Sequence, residues 1–197
     1  MPHVKPFTAD FLYWTGRATR ADPAVADKSS QYELLVQDNR GDFGPRYLTT
    51  YELADERSLP ELSDTQWRML YTRLAQAGES SEETVSILAI AMDLPAGTGP
   101  DELAEFNDFY TRIHLPQVVE DSRFLRGTRY ELSTAVDHPP GCPRYLAVYE
   151  ADARKTADYL RAQAAGNVTA VEEPDEGPPV WRNRTTVWRV RYRLISP

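Results

Sequence analysis

Cysteine and histidine are scarce in this sequence, which carries one cysteine, Cys142, and three histidines. A single cysteine excludes an internal disulfide framework and indicates a reducing compartment. The histidines are His3, His114 and His138, and together with the cysteine they show no regular spacing, so that no metal site is predicted. A glycine-rich phosphate loop and a Gly-x-Ser-x-Gly nucleophile elbow are also missing.

Positive charge and long apolar runs are equally limited. The formal net charge is −8, which argues against nucleic acid and anionic membranes as partners. The longest apolar stretch, SILAIAMDL at residues 86–94, is too short to cross a bilayer. The first residues, MPHVKPFTADF, lack the apolar segment of a signal peptide. We therefore expect a cytoplasmic protein without a membrane partner.

What the chain does contain is an internal repeat. Residues 31–52 (QYELLVQDNRGDFGPRYLTTYE) align without gaps on residues 129–150 (RYELSTAVDHPPGCPRYLAVYE). In each copy two alternating segments rich in aromatic and β-branched residues flank a turn that contains glycine and proline, which predicts a pair of strands. An internal repeat indicates a repeated folding unit.

Helices and a further strand follow from the local patterns. A helix is predicted after each strand pair, over residues 62–78 (LSDTQWRMLYTRLAQAG) and residues 153–166 (ARKTADYLRAQAAG), because a glycine ends each segment. The apolar run at residues 85–92 predicts a central strand. A proline and several acidic residues begin a helix over residues 101–115, which Pro116 should kink or end.

The closing strand, predicted over residues 180–195, alternates arginine with apolar residues. One face carries Trp188, Val190, Tyr192 and Leu194, and the other carries Arg189, Arg191 and Arg193. The arginine face has two interpretations. It forms a surface for phosphate or nucleic acid, or it forms cross-strand ion pairs with acids such as Glu131 or Glu150, which fits the net negative charge.

The order of the predicted elements indicates the fold class. From residue 84 onward it is β-α-β-β-α-β, which is a ferredoxin-like unit. The first part of the chain shows only an incomplete version of that order. We therefore predict an α+β fold of two tandem ferredoxin-like units with antiparallel sheets. Residues 1–80 would form a degenerate unit, and residues 84–197 a complete unit that carries the site.

Three motifs in the second half resemble the dimeric α/β-barrel superfamily, and most closely its EthD-like branch. They are YTRIHLP at residues 110–116, FLRGTRY at residues 124–130 and RYLAVYE at residues 144–150. The resemblance implies two four-stranded sheets that face each other in a barrel, with a pocket between each sheet and its own helices. It also implies a monomer with an internal pseudo-dimer, or a homodimer.

His114 is the leading candidate for a functional residue. On the predicted helix it lies one turn after Tyr110 and two turns after Asn107, so the three side chains share a face. Imidazole suits proton transfer, Tyr110 would donate to a developing oxyanion, and Asn107 would orient the substrate or the ring. The alternative is structural: His114 would cap a kink by bonding a carbonyl that Pro116 leaves free.

Further residues are candidates for substrate binding. Phe106 and Ile113 lie on the same side of the helix as His114, and Tyr145 and Tyr149 share one face of a strand. The repeat places tyrosines at the matching positions 47 and 51, which favours packing as their role. Several large aromatic residues would stack on a flat ligand or form the core; they are Tyr13, Trp14, Trp67, Trp181 and Trp188.

These residues support a cofactor-independent enzyme that performs proton-transfer chemistry on a small hydrophobic molecule. The resemblance implies an aromatic or polyketide-like substrate and a cyclase, isomerase or lyase of natural-product metabolism. Two alternatives remain: a monooxygenase, cofactor-free or with haem bound through His114, and a non-catalytic binding or scaffold protein. The superfamily includes cofactor-free monooxygenases, polyketide cyclases, lactone isomerases, haem-binding enzymes and members of unknown role, and so the fold does not choose a reaction.

Overall fold

A computed structural model describes residues 10–20, 29–37, 45–56, 58–62, 65–79, 81–166 and 177–196. Eight strands lie within these ranges: β1 Phe11–Arg17, β2 Ser29–Gln37, β3 Tyr47–Leu53, β4 Trp67–Gly78, β5 Ser86–Asp93, β6 Arg126–Leu132, β7 Tyr145–Ala151 and β8 Thr185–Ser196. The helices are α1 Pro100–Phe109, a π-helical turn Tyr110–His114, α2 Leu115–Asp121, α3 Ala153–Ala164 and the short α4 Pro179–Arg182. His3 lies outside the described residues.

The eight strands form one closed antiparallel barrel, in the order β1-β3-β2-β8-β5-β7-β6-β4. The two repeated segments fall on β2–β3 and β6–β7, and each of these pairs is antiparallel, as the repeat predicts. The first four strands are neighbours in the barrel, and so are the last four. The two groups meet where β2 pairs with β8 and where β4 pairs with β6.

The prediction of two tandem ferredoxin-like units is wrong, and with it the assignment to the dimeric α/β-barrel superfamily and its EthD-like branch. All strands belong to a single closed sheet, and every helix of the described residues follows β5 in sequence. The two segments 1–80 and 84–197, which we expected to be a degenerate and a complete ferredoxin-like unit, contribute their strands to the same barrel. The sequence repeat is confined to two strand pairs.

The largest local error concerns residues 62–78, where a helix was expected. Residues 67–78 form β4, a strand of twelve residues that pairs with β1 along its first half and with β6 along its second half. Met69 and Tyr71 point into the barrel and are fully buried. Long-range pairing on both edges therefore outweighs the helix propensity of leucine, glutamine and alanine, which is worth only tenths of a kcal/mol per residue.

The interior of the barrel is a core of large side chains from all eight strands. Trp14 lies 6.0 Å from Trp188 and 6.2 Å from Tyr192, measured between ring centroids. The alternation predicted for the closing strand is confirmed, because Trp188, Val190, Tyr192 and Leu194 all contribute to this core. Arg193, on the other face, pairs with Glu33 rather than with either acid that we expected.

A buried ion pair lies among these apolar side chains. The guanidinium of Arg126 donates to Oε1 of Glu150, and Thr84 donates to the other carboxylate oxygen over 3.1 Å. Arg126 is 1% exposed and Glu150 is 5% exposed. Two charges so far from water persist only where each offsets the desolvation of the other.

The helices form a layer on the outer face of the barrel, where α2 packs against β4 and β6 and α3 packs against β7. Pro116, which was expected to kink or end the helix, does not end it, and Leu115 retains helical dihedral angles (φ −62°, ψ −49°). The backbone N–H of Leu115 donates to the carbonyl of Tyr110, five residues earlier, so that the turn widens into a π-helix just before the proline. Helical hydrogen bonding then resumes through α2.

Candidate functional site

The predicted helix residues meet the predicted strand residues between the helical layer and the barrel. α1 and the π-turn supply Phe106, Tyr110 and His114, which are all buried. β7 supplies Tyr145 and Tyr149 from the barrel side. Phe106 lies 5.2 Å from Tyr145 and 5.8 Å from Tyr110, measured between ring centroids. The sequence pattern therefore brings five of its candidate residues into one cluster, which we call the aromatic cluster.

His114 lies at the edge of the aromatic cluster, next to α4. Its ring centroid is 4.2 Å from Trp181 and 5.0 Å from Tyr110, and its side chain is 7% exposed. Burial, assisted by the positive charge of Arg184, lowers the pKa of His114 to about 4. The imidazole is consequently neutral at physiological pH and presents a lone pair rather than a charge.

The structural alternative for His114 was a hydrogen bond to a carbonyl that Pro116 leaves free. As the residue that precedes α2, it makes no side-chain capping hydrogen bond. The π-turn itself accommodates Pro116, because the Leu115 N–H reaches back to Tyr110 and the helix continues. Single π-turns inside helices occur frequently at functional sites. Here the wider turn places Tyr110 and His114, its first and last residues, against the same core.

Arg129 of β6 is the residue that sequence reasoning missed. It is 1% exposed, and its guanidinium carbon lies 4.8 Å from the ring centroid of Phe106, 4.6 Å from Tyr110 and 5.2 Å from Tyr145. Its Nη2 donates to Oδ1 of Asn107 over 2.6 Å. Asn107 therefore orients an arginine rather than His114. Burial lowers the pKa of Arg129, although the surrounding rings and the amide favour the charged form.

The two hydroxyl groups of the cluster face each other. The oxygen atoms of Tyr110 and Tyr149 are 3.4 Å apart, and either can donate. Burial raises the pKa of both groups, and for Tyr149 the neighbouring Tyr110 raises it further. Both phenols are therefore protonated at neutral pH, so that either is a hydrogen-bond donor and neither is a base.

Replacing Tyr149 by phenylalanine removes only this hydroxyl contact. We expect the free energy of unfolding to fall by about 1 kcal/mol, the usual net worth of a single hydrogen bond, because the Tyr110 hydroxyl loses its partner. Chemical denaturation of the wild type and Tyr149→Phe measures the difference. An unchanged midpoint would contradict the hydrogen bond. Tyr110→Phe, which removes the other hydroxyl group, should lower the free energy of unfolding by the same amount as Tyr149→Phe.

Two candidate residues lie elsewhere. Trp188 is part of the barrel interior, on the opposite side of the sheet from His114. Ile113 is 53% exposed, because the wide turn directs it to solvent. Trp181 contacts His114 instead, and the guanidinium carbon of Arg184 lies 3.3 Å from its ring centroid. Trp181 was expected in a strand but lies in α4, where no helix was predicted.

Within the described ranges, no group of three or more His, Cys, Asp or Glu side chains could hold a metal ion. His138 is instead engaged with the backbone, since its Nε2 accepts from the Leu70 N–H over 3.1 Å. Across the same residues, every helix is too short or too polar to traverse a lipid bilayer.

No family model matches the chain, and no curated protein shows significant similarity to it.

Proposed function

We propose that the aromatic cluster binds a small, flat, acidic molecule and that His114 accepts a proton from it. The buried, neutral imidazole of His114 beside Trp181 is the observation that carries this proposal. The reaction class is cofactor-independent proton transfer, such as cyclisation, isomerisation or dehydration. Aromatic and polyketide-like compounds match the chemistry of this region, since Trp181 and Phe109 are aromatic rings that pack beside His114.

The low pKa of His114 restricts the substrate. A base of pKa about 4 accepts protons poorly from ordinary carbon acids, because proton transfer is most efficient when the two pKa values are close. A 1,3-dicarbonyl compound or an acidic phenol meets this condition better than a simple ketone. Both are typical of polyketide-like molecules.

The tyrosine pair complements the base. Tyr110 contacts the His114 ring edge-on and holds its hydroxyl toward Tyr149. Because its pKa is raised, the Tyr110 hydroxyl keeps its proton and stabilises an enolate by hydrogen bonding. Arg129, below the same rings, adds a positive potential that favours a developing negative charge.

Deuterium exchange tests the proposal with a defined probe. Benzoylacetone is a planar aromatic 1,3-dicarbonyl whose exchange at carbon can be followed by NMR in mildly acidic D2O, where the uncatalysed rate is low. We expect the protein to accelerate exchange, and His114→Gln to lower the protein-dependent rate about 10²-fold, the lower range for loss of a general base. His138→Gln, which removes a histidine outside the cluster, should leave the rate unchanged.

A non-catalytic binding role is the second candidate, and the Arg129 contacts favour it. Three rings and Asn107 hold that arginine in place, which makes the cluster a rigid platform for a ligand. Binding without turnover predicts that benzoylacetone quenches tryptophan fluorescence while its exchange stays at the uncatalysed rate. That result, or equal exchange in the wild type and His114→Gln, would refute the catalytic proposal.

The remaining alternative is oxidation. Oxygen consumption with the same probe would identify a cofactor-free monooxygenase. Haem ligation by His114 fits the packing poorly, because Trp181, Tyr110 and Phe109 surround the ring at centroid distances of 4.2, 5.0 and 6.2 Å. A porphyrin plane beside the imidazole would displace at least one of these rings.

A further inference from the structure

The arginine stripe of β8 contains a buried charge that the aromatic cluster does not use. Arg191 is 3% exposed, and its guanidinium carbon lies 4.0 Å from the ring centroid of Tyr159 on α3. Its Nε and Nη1 atoms are buried and have no hydrogen-bond partner among the described residues. Burial lowers the pKa of Arg191 to about 10, so the side chain remains charged at neutral pH.

The surroundings of Arg191 are positive rather than negative. Arg189, on the same strand, lies close enough to disfavour the charged form of Arg191. Arg191 and Arg123 in turn disfavour the charged form of Lys155 on α3. Within the described part of the chain no carboxylate forms an ion pair with Arg191. A buried cation that lacks a counter-charge costs several kcal/mol, which a bound anion would offset.

The acidic side chains of the neighbouring helix are engaged elsewhere. Oδ1 of Asp152 accepts from the backbone N–H of Lys155 over 2.6 Å and caps α3. Asp158 pairs with Arg161 on the exposed side of the same helix. Neither acid supplies the missing acceptor for Arg191.

We propose that Arg191 and Lys155 form a binding site for a small oxyanion, of the phosphate or carboxylate class, between α3 and β8. The anion would accept hydrogen bonds from the unpartnered guanidinium nitrogens, and Lys155 would add a second positive charge. Tyr159 covers the guanidinium with its ring and fixes its plane. This site is separate from the aromatic cluster, since Arg191 contacts neither Arg129 nor His114 in the described structure.

Thermal unfolding in different anions tests the site. At constant ionic strength, replacing chloride by inorganic phosphate, sulfate or acetate should raise the Tm of the wild type in a saturable way, because a ligand that binds only the folded state stabilises it. Arg191→Met should abolish the increase, and in chloride its Tm should equal or exceed that of the wild type. A larger response to phosphate and sulfate than to acetate indicates the phosphate class, and the reverse indicates the carboxylate class.

Arg193→Met provides the matched control. Arg193 lies on the same strand and the same face, but it is exposed and paired with Glu33. It should respond to oxyanions as the wild type does, whereas Lys155→Met should weaken binding about tenfold or more. The proposal is overturned if the wild type responds equally to chloride and oxyanions, if Arg191→Met retains the response, or if Arg193→Met loses it.

Discussion

Replacing Glu150 by glutamine should lower the free energy of unfolding by about 3–5 kcal/mol, the usual cost of leaving one member of a buried ion pair uncompensated. The variant keeps the size of the side chain but removes the negative charge that faces Arg126 inside the barrel. The Thr84 hydroxyl also loses a charged acceptor. Equilibrium unfolding in urea measures the loss as a shift of the midpoint at constant slope.

The control for this variant is Glu131→Gln. Glu131 pairs with Arg144 over 2.8 Å, but its side chain is 30% exposed and that of Arg144 is 52% exposed. Exposed pairs contribute about 1 kcal/mol or less. If both variants lose the same small amount, the Arg126–Glu150 pair is hydrated and not buried as described. Addition of Arg126→Met to Glu150→Gln should restore part of the loss, because it removes the uncompensated cation.

The second large effect is a fall in the free energy of unfolding at low pH, which His114 should cause. Its pKa is lowered from 6.5 to about 4 on folding, so the unfolded chain binds a proton between these values and the folded protein does not. The free energy of unfolding should therefore fall as the pH decreases from 6.5 through 4. The contribution of this one residue amounts to about 3 kcal/mol at the end of that range.

Denaturation curves at a series of pH values isolate the contribution. In His114→Gln the contribution of His114 to the fall in the free energy of unfolding between pH 6.5 and 4 should disappear, even if the variant is less stable at neutral pH. His138→Gln should retain most of it, because His138 is only partly buried and desolvation therefore lowers its pKa less than that of His114. Parallel curves for the wild type and His114→Gln would show that the imidazole is hydrated in the folded protein.

The local patterns predict much of the strand content. The repeated segments alternate regularly, and the faces assigned to Tyr145 and Tyr149 on one side and Leu146 on the other agree with the two cores. A half-buried strand must alternate in this way, since successive side chains point to opposite faces.

The global topology could not be deduced in the same manner. Residues 67–78 combine leucine, glutamine and alanine with a terminal glycine, a composition that favours helix in isolation. The partners that make them a strand, Phe11–Gly16 and Arg126–Leu132, are remote in sequence. Periodicity reports local geometry but not which distant edge is available for pairing.

The candidate site was predicted only in part, again because sequence patterns report local geometry. Helical spacing alone places Phe106, Tyr110 and His114 on one face, and the structure keeps them together. Arg129 carries no comparable signal, because an arginine in a strand normally indicates a solvent-exposed position. Its burial depends on three rings from three other elements, α1, the π-turn and β7, which only the folded chain assembles.

The position of β8 in the closed barrel has a consequence for folding. β8 is the last of the eight strands along the chain, yet it lies between β2 and β5 and completes the closure. Until its residues are available, β2 and β5 each expose an edge of unpaired N–H and C=O groups that could pair with another chain. Its pairing with β2 joins residues about 160 positions apart, as between Glu33 and Arg193. Barrel closure is therefore a late step with a high cost in loop entropy, and nascent chains are most prone to association just before it.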